Sequence, residues 1–276
     1  MKITQNLTVV QARRLEQTDA DAWEWMYQQL PESYQQSFGF SVDKLANMGV
    51  LTCQKIPFRH FNTPLGIGIS EPMAPQQLES VLQLFECKNI NAFYIHVTPF
   101  SEPSDFVKQL TDKGMRHLGS WERIWRDNRL LKEIIPVPEG TSVEEITAET
   151  ANEWADFIDA VYRMPTKPWL LNLVDKPRFH AYVFRRNGRI VAARTMIING
   201  ENAWLGMDAP VPGIMAPTFE EDFFLDQKIV QDGLQRGVTL FSTDLEKPSP
   251  TRDTPAYLYW GKLGFEVAYL RDNYGF

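Results

Sequence analysis

Three carboxylates stand where a strand-rich chain can use them as bases. Asp208 closes the run AWLGMD (203–208), and Asp244 and Glu246 lie in FSTDLE (241–246). Each run starts as an apolar strand candidate. A carboxylate at a strand end can face a cleft, where burial raises its pKa toward that of a general base. The sequence also holds two aromatic stretches: AYLYW (256–260), with Tyr257 and Tyr259, and YRMPTKPW (162–169), with Tyr162, Arg163 and Trp169. Metal chemistry is not expected, because His60, His96, His117 and His180 share no ligand spacing. His180 falls inside a strand candidate and reads as a structural residue. The two cysteines, Cys53 and Cys87, are far apart and are expected to be reduced.

The elements that must position these groups are most legible after residue 175. FHAYVF (179–184), RIVAARTMII (189–198) and AWLGM (203–207) are strand candidates, joined by Asn187-Gly188 and Asn199-Gly200. Asn-Gly between such runs is a strong hairpin signal, so an antiparallel meander is predicted. Residues 217–235 carry apolar side chains at helical spacing, with Pro217 suited to the first turn and Gly237 to the end. VTLFST (238–243) reads as a buried strand, 255–263 as a short helix stopped by Gly264, and 265–270 as a final strand.

A similar order runs through the first half: 65–70 strand-like, 75–85 helical, 92–97 strand-like, 105–110 helical, 121–125 strand-like. Short echoes accompany it. Met73-Ala74-Pro75 matches Met215-Ala216-Pro217, and Arg126-Asp127-Asn128 matches Arg271-Asp272-Asn273. Trp23 and Trp154 occupy matching helices. A duplicated fold is therefore expected, as a domain of residues 1–135 and another of 136–276.

Composition is that of a soluble globular chain: 43% hydrophobic and 23% charged over 276 residues. The net charge of −7, with no basic stripe, argues against nucleic acid. No apolar run approaches a membrane span, and the N-terminus lacks a leader-like core, so a cytoplasmic protein is expected.

The motifs WLGMDAPVP (204–212), LQRG (234–237), FSTDLE (241–246) and AYLYWGKLGFEVAYLRDNY (256–274) together resemble the GNAT N-acetyltransferase superfamily. The likeness is to tandem members that carry two copies of the fold in one chain. LGIGISEP (65–72), IHVTP (95–99) and LTDKGMRHLGSW (110–121) resemble a diverged first copy. The resemblance implies an α/β fold with mixed sheets. It also implies an acyl thioester donor, usually acetyl-CoA, held between two splayed parallel strands, here 203–207 and 238–243. Donor contacts would fall at Met207, Ala209, Val211, Gly213 and Met215, with Tyr257 or Tyr259 as the acid that protonates the leaving thiolate. The superfamily's usual tyrosine position holds Trp260. Tyr162 and Trp169 would line the side of a small-molecule or peptide amine acceptor. An internal pseudo-dimer would let the protein work as a monomer.

One expected feature is absent. The stretch PVPGIMAPTFEED (210–222) lacks the basic, glycine-rich loop by which a helix start cradles pyrophosphate. Glu220, Glu221 and Asp222 stand there instead, with Lys228 and Arg236 far along the helix, so repulsion of the CoA phosphates is expected. Three readings stay open: an N-acyltransferase using acetyl-CoA, one using an acyl-pantetheine donor such as an acyl carrier protein, and a non-catalytic binding protein that has lost CoA binding.

Overall fold

Among the described residues, ten helices and strands follow one another in the same order twice. The first series is β1 (Lys2–Ile3), α1 (Val9–Gln28), α2 (Glu32–Phe38), β2 (Phe40–Leu45), β3 (Met48–Cys53), β4 (Thr63–Pro64), α3 (Pro75–Cys87), β5 (Ile95–Val97), α4 (Phe106–Asp112) and β6 (Arg116–Asp127). The second is β7 (Thr141–Glu145), α5 (Ala151–Tyr162), α6 (Lys167–Leu173), β8 (Phe179–Arg186), β9 (Arg189–Asn199), β10 (Asn202–Pro210), α7 (Phe219–Gln235), β11 (Leu240–Lys247), α8 (Ala256–Lys262) and β12 (Glu266–Gly275). The computed structural model describes all residues except Asn47, Ser70 and 248–255, and leaves the side chains of Lys2, Lys247, Ala256 and Tyr257 undescribed. Much of the loop predicted after β11 therefore lies outside the described residues. Among the described residues no helix is long and apolar enough to cross a membrane.

The chain forms two compact units. Unit one comprises Met1–Ile3, Ile124–Thr243 and the described part of 253–267. Unit two comprises Thr4–Arg123, the described part of 244–252, and Ala268–Phe276. Strands β6, β11 and β12 thus contribute residues to both units.

Unit one is organised by the meander that the Asn-Gly pairs announce. Asn187, Gly188 and Gly200 all have positive φ, as such turns require. Strand β8 pairs antiparallel with β7 and β9, and β9 with β10. Helix α7 packs on this sheet, started by a reciprocal cap in which Thr218 and Glu221 each accept the other's backbone N–H. Gly233 of α7 lets the helix approach the sheet, since a Cβ there would meet the Phe241 ring at 2.4 Å.

In unit two, β2, β3 and β4 form an antiparallel sheet. Helix α3 buries Leu78, Val81 and Phe85 in a core with Ile95, Val97 and Tyr274. β5 pairs with the end of β12, Val97 opposite Asp272 and Ile95 opposite Tyr274. Residues 65–69, expected as a strand, form turns instead. Gly66 and Gly68 both have positive φ there, which alternating strand geometry does not allow. Gly68 also accepts a hydrogen bond from the Glu102 backbone at 2.7 Å, and a Cβ on it would sit 2.9 Å from the Glu102 carbonyl oxygen.

Candidate active site

Strands β10 and β11 run parallel for only three residue pairs, Asn202–Leu240, Ala203–Phe241 and Trp204–Ser242. At the next residues β10 is distorted. Its register with β9 shifts between Gly206 and Ala209, and Met207 takes a φ of +53°. Such a bulge bends a strand and re-aims its side chains. Gly206 is required at the bend, because a Cβ would fall 2.0 Å from the Trp204 ring. The register resumes at Ala209, opposite Ala193, and Val211 donates to the Val191 carbonyl at 2.9 Å.

The bulge is tied down from α5. The Tyr162 hydroxyl donates to the Asp208 carbonyl at 2.5 Å. The Asp208 carboxylate, about half exposed, pairs with Arg194 Nη2 at 2.7 Å. Arg194 lies in the middle of β9, nearly fully buried. It also pairs with Asp226 of α7 and lies over the Trp260 ring. Asp226 is fully buried, and burial pushes its carboxyl up to about 7 against the pull of Arg194. Burial likewise pushes Asp222 up to about 6. Tyr259, on α8, is buried beside Trp260, with ring centroids 5.5 Å apart. Burial raises its phenol above the usual range despite Arg194, so it stays protonated at neutral pH.

Tyr162, Asp208 and Tyr259 therefore share one electrostatic neighbourhood around Arg194. The other expected residues are distributed differently. Trp169 is buried within α6 rather than on a loop. Asp244 and Glu246 belong to unit two, where Asp244 joins a buried ion cluster. Tyr257 lies in α8, but its side chain is outside the described residues. His180 holds Glu145 through Nδ1 at 2.7 Å, a structural pairing. Among the described residues no group of His, Cys, Asp or Glu could hold a metal ion.

The acidic helix start needs correction. Glu221 is gripped by Arg186 of β8, whose Nε donates to Oε1 at 2.6 Å and whose Nη2 reaches Oε2. Arg186 also donates to the Ala216 carbonyl at 3.2 Å. A positive residue does reach this loop, through space rather than sequence. Asp222 is half-buried and within electrostatic reach of Arg194, whereas Glu220 is exposed. The preceding 3₁₀ turn, Gly213–Met215, presents Ile214 and Met215 to solvent.

Arg194, Asp226 and Arg186 were not singled out in the sequence. The signal for two of them is a charge on an apolar face: Arg194 within RIVAARTMII, and Asp226 between Leu225 and Ile229. Arg186 carries no such signal.

Solved structures share this architecture. A GCN5-related N-acetyltransferase from Kribbella flavida matches with a TM-score of 0.64 at 13% identity, over 96% of this chain and 95% of that one. A tandem GNAT protein from the clavulanic acid biosynthesis pathway matches with a TM-score of 0.60 at 13% identity, over 99% and 96%. A GCN5-related N-acetyltransferase from Sphaerobacter thermophilus matches with a TM-score of 0.57 at 12% identity, over 72% and 66%. No family model and no curated protein matches the chain.

Proposed function

We propose, for a chain with the tandem GNAT acetyltransferase fold, that unit one transfers an acyl group from a thioester to an amine. The observation that carries this reading is the parting of β10 and β11 after Trp204–Ser242, beside a bulge that holds Asp208 within the Arg194 cluster that also includes Tyr259. Where parallel strands part, their backbone groups are available to the amide and carbonyl groups of an extended acyl-pantetheine arm. Asp208 would take a proton from the amine as its nitrogen bonds to the acyl carbon and the carbon–sulfur bond breaks. Tyr259, still protonated at neutral pH, would give its proton to the leaving sulfur and regain one from solvent.

The donor follows from the loop chemistry. Glycine-rich backbone and free positive charge are what bind pyrophosphate at a helix start. Here Arg186 is engaged by Glu221, and Ile214 and Met215 are exposed. These features suit a pantetheine arm better than a nucleotide. The two copies of the fold are proposed to divide at residues 135/136, between β6 and β7.

The test is thiol release from S-acetyl-pantetheine and acetyl-CoA with a panel of primary amines. Turnover is expected with the pantetheine donor, with kcat reduced about 100-fold or more in Tyr259→Phe. Folded protein that neither binds nor cleaves either donor would leave the fold as a binding scaffold.

A further inference from the structure

In unit two the paired strands β5 and β12 have one apolar face and one polar face. Ile95, Val97 and Tyr274 turn into the core with α3. Their strand neighbours His96 and Asn273 turn the other way and join, Nδ1 to Oδ1, at 2.7 Å. On that side Arg123 and Arg271 are buried with Glu16 and Asp19 of α1 and with Asp244. Arg271 Nη1 lies 3.0 Å from Asp19 and 3.4 Å from Glu16, and its Nη2 pairs with Asp244. Tyr269 donates to Glu16 at 2.7 Å.

Next to this ion cluster the surface consists of rings. His60 lies 4.5 Å from Trp121 and 5.0 Å from Tyr94, centroid to centroid, and Tyr94 lies 5.8 Å from His96. All four are only half-buried, so each keeps a surface that a ligand can touch. Glu246 is exposed nearby and acts on Tyr94, whose phenol is raised by burial and by that carboxylate.

We propose that this ring cluster is a binding site for an organic cation, a primary or quaternary ammonium group. Charge decides the class. In the cluster beneath, three carboxylates face two guanidiniums, and Glu246 adds a fourth negative charge at the rim. Arg271 is engaged by Asp19, Glu16 and Asp244, whereas Arg59 donates to the carbonyls of Phe93 and Phe276, both at 3.1 Å, and keeps its charge 5.8 Å from the centroid of the Tyr94 ring, so these four carboxylates exceed the three guanidiniums by one. His60 is pushed down to about 4 by burial and by Arg271, and His96 lies well below its usual value for the same reasons. Both imidazoles are thus neutral at pH 7. They offer lone pairs to an ammonium N–H and no charge to an anion. Trp121 adds a ring face that attracts a cation, while the Tyr94 ring already carries Arg59 over it.

This site is independent of the proposed acyl transfer and is tested without a thioester. The side-chain resonances of the four histidines are followed at pH 7.5 during titration with butylammonium or tetramethylammonium chloride. Sodium acetate serves as the anion control. Saturable shifts of His60 and His96, with His180 unmoved, are expected for the cations alone. Glu246→Gln, on the surface, should weaken the cation about two- to threefold. Trp121→Leu should weaken it about three- to tenfold. His60 and His96 resonances that ignore both cations, or that respond equally to acetate, overturn the proposal. Unchanged affinity in Glu246→Gln would do the same, even if Trp121→Leu does not fold.

Discussion

The guanidinium of Arg194 lies 5.1 Å from the centroid of the Trp260 ring. Trp260 occupies the helix position at which the resemblance expects a tyrosine. Its indole packs against a buried cation rather than offering a hydroxyl to the cleft. Among the described side chains, Tyr259, one residue earlier, is the phenol that α8 brings to the cluster. Cation and carboxylates meet at the middle of β9, and the charge of each depends on the other.

Arg194→Leu removes the counter-charge of Asp226, which is fully buried. Stranding one member of a buried pair typically costs about 3–5 kcal/mol. The variant is expected to lose stability on that scale in urea denaturation. Arg194→Leu with Asp226→Leu should recover most of the loss, because both charges are then gone. A double variant no more stable than the single one would show that Asp226 is not what Arg194 stabilises.

The raised Asp226 carboxyl also predicts a pH dependence. Its folded pKa of about 7 exceeds the unfolded value of about 3.9. Between these values the folded protein holds a proton that the unfolded chain releases. The stabilisation is present below pH 4 and is lost as pH rises through 7. His60, depressed to about 4, contributes the opposite slope between pH 4 and 6.5. Comparison of wild type with Asp226→Asn cancels that contribution. The wild type should lose more stability than the variant between pH 5 and 8, at about 1.4 kcal/mol per unit of pKa difference. Parallel curves would mean that Asp226 is charged throughout.

The acidic start of α7 divides into unequal parts. Glu221 is neutralised by Arg186, whereas Glu220 is exposed. Acetyl-CoA affinity, measured by calorimetry, should rise a few-fold in Glu220→Gln, as expected for removal of one partly screened charge. It should fall or stay level in Arg186→Gln. Glu221→Gln should raise it at least as much, because it releases the Arg186 guanidinium from its carboxylate while Gln can keep the Thr218 cap. Improvement in Glu220→Gln with none in Glu221→Gln would show that Arg186 does not act on a bound phosphate.

Gly233 sets helix propensity against packing. Glycine inside a helix is about 1 kcal/mol worse than alanine. Yet a Cβ at 233 would come within 2.4 Å of the buried Phe241 ring and 3.1 Å of Met196 Sδ. Overpacking of that kind costs about 1–3 kcal/mol. Gly233→Ala is therefore expected to lower the urea midpoint, and a rise would show that α7 shifts at little cost.

The sequence made local structure legible where one residue pattern decides it. Asn187-Gly188 and Asn199-Gly200 force tight turns, and the apolar spacing of 217–235 fixes a helix, so the meander and α7 follow. LGIGIS (65–70) alternates like a strand, but Gly66 and Gly68 adopt backbone angles that only the surrounding chain demands. The candidate site was partly legible for the same reason. Asp208 and Tyr259 lie on the segments that carry the family pattern. The pairing of Glu221 with Arg186 spans 35 residues and needs the fold to bring β8 beside α7. Asp244 sits in a strand whose final residues belong to the other unit, and the sequence offers no mark where that change occurs.

The division of β12 between units has a consequence for synthesis on the ribosome. Unit two is built chiefly from residues 4–123, yet Tyr269, Arg271 and Asn273 complete its polar face. When the first 123 residues have emerged, Glu16 and Asp19 are made but Arg271 is not. Two carboxylates then await one of their guanidiniums until nearly 150 further residues have been translated. The usual N-terminal-first order, in which each domain settles as it appears, would leave unit two without Ala268–Phe276 until translation reaches them. Contacts of such high sequence separation, as between Glu16 and Tyr269, are of the kind that slows folding.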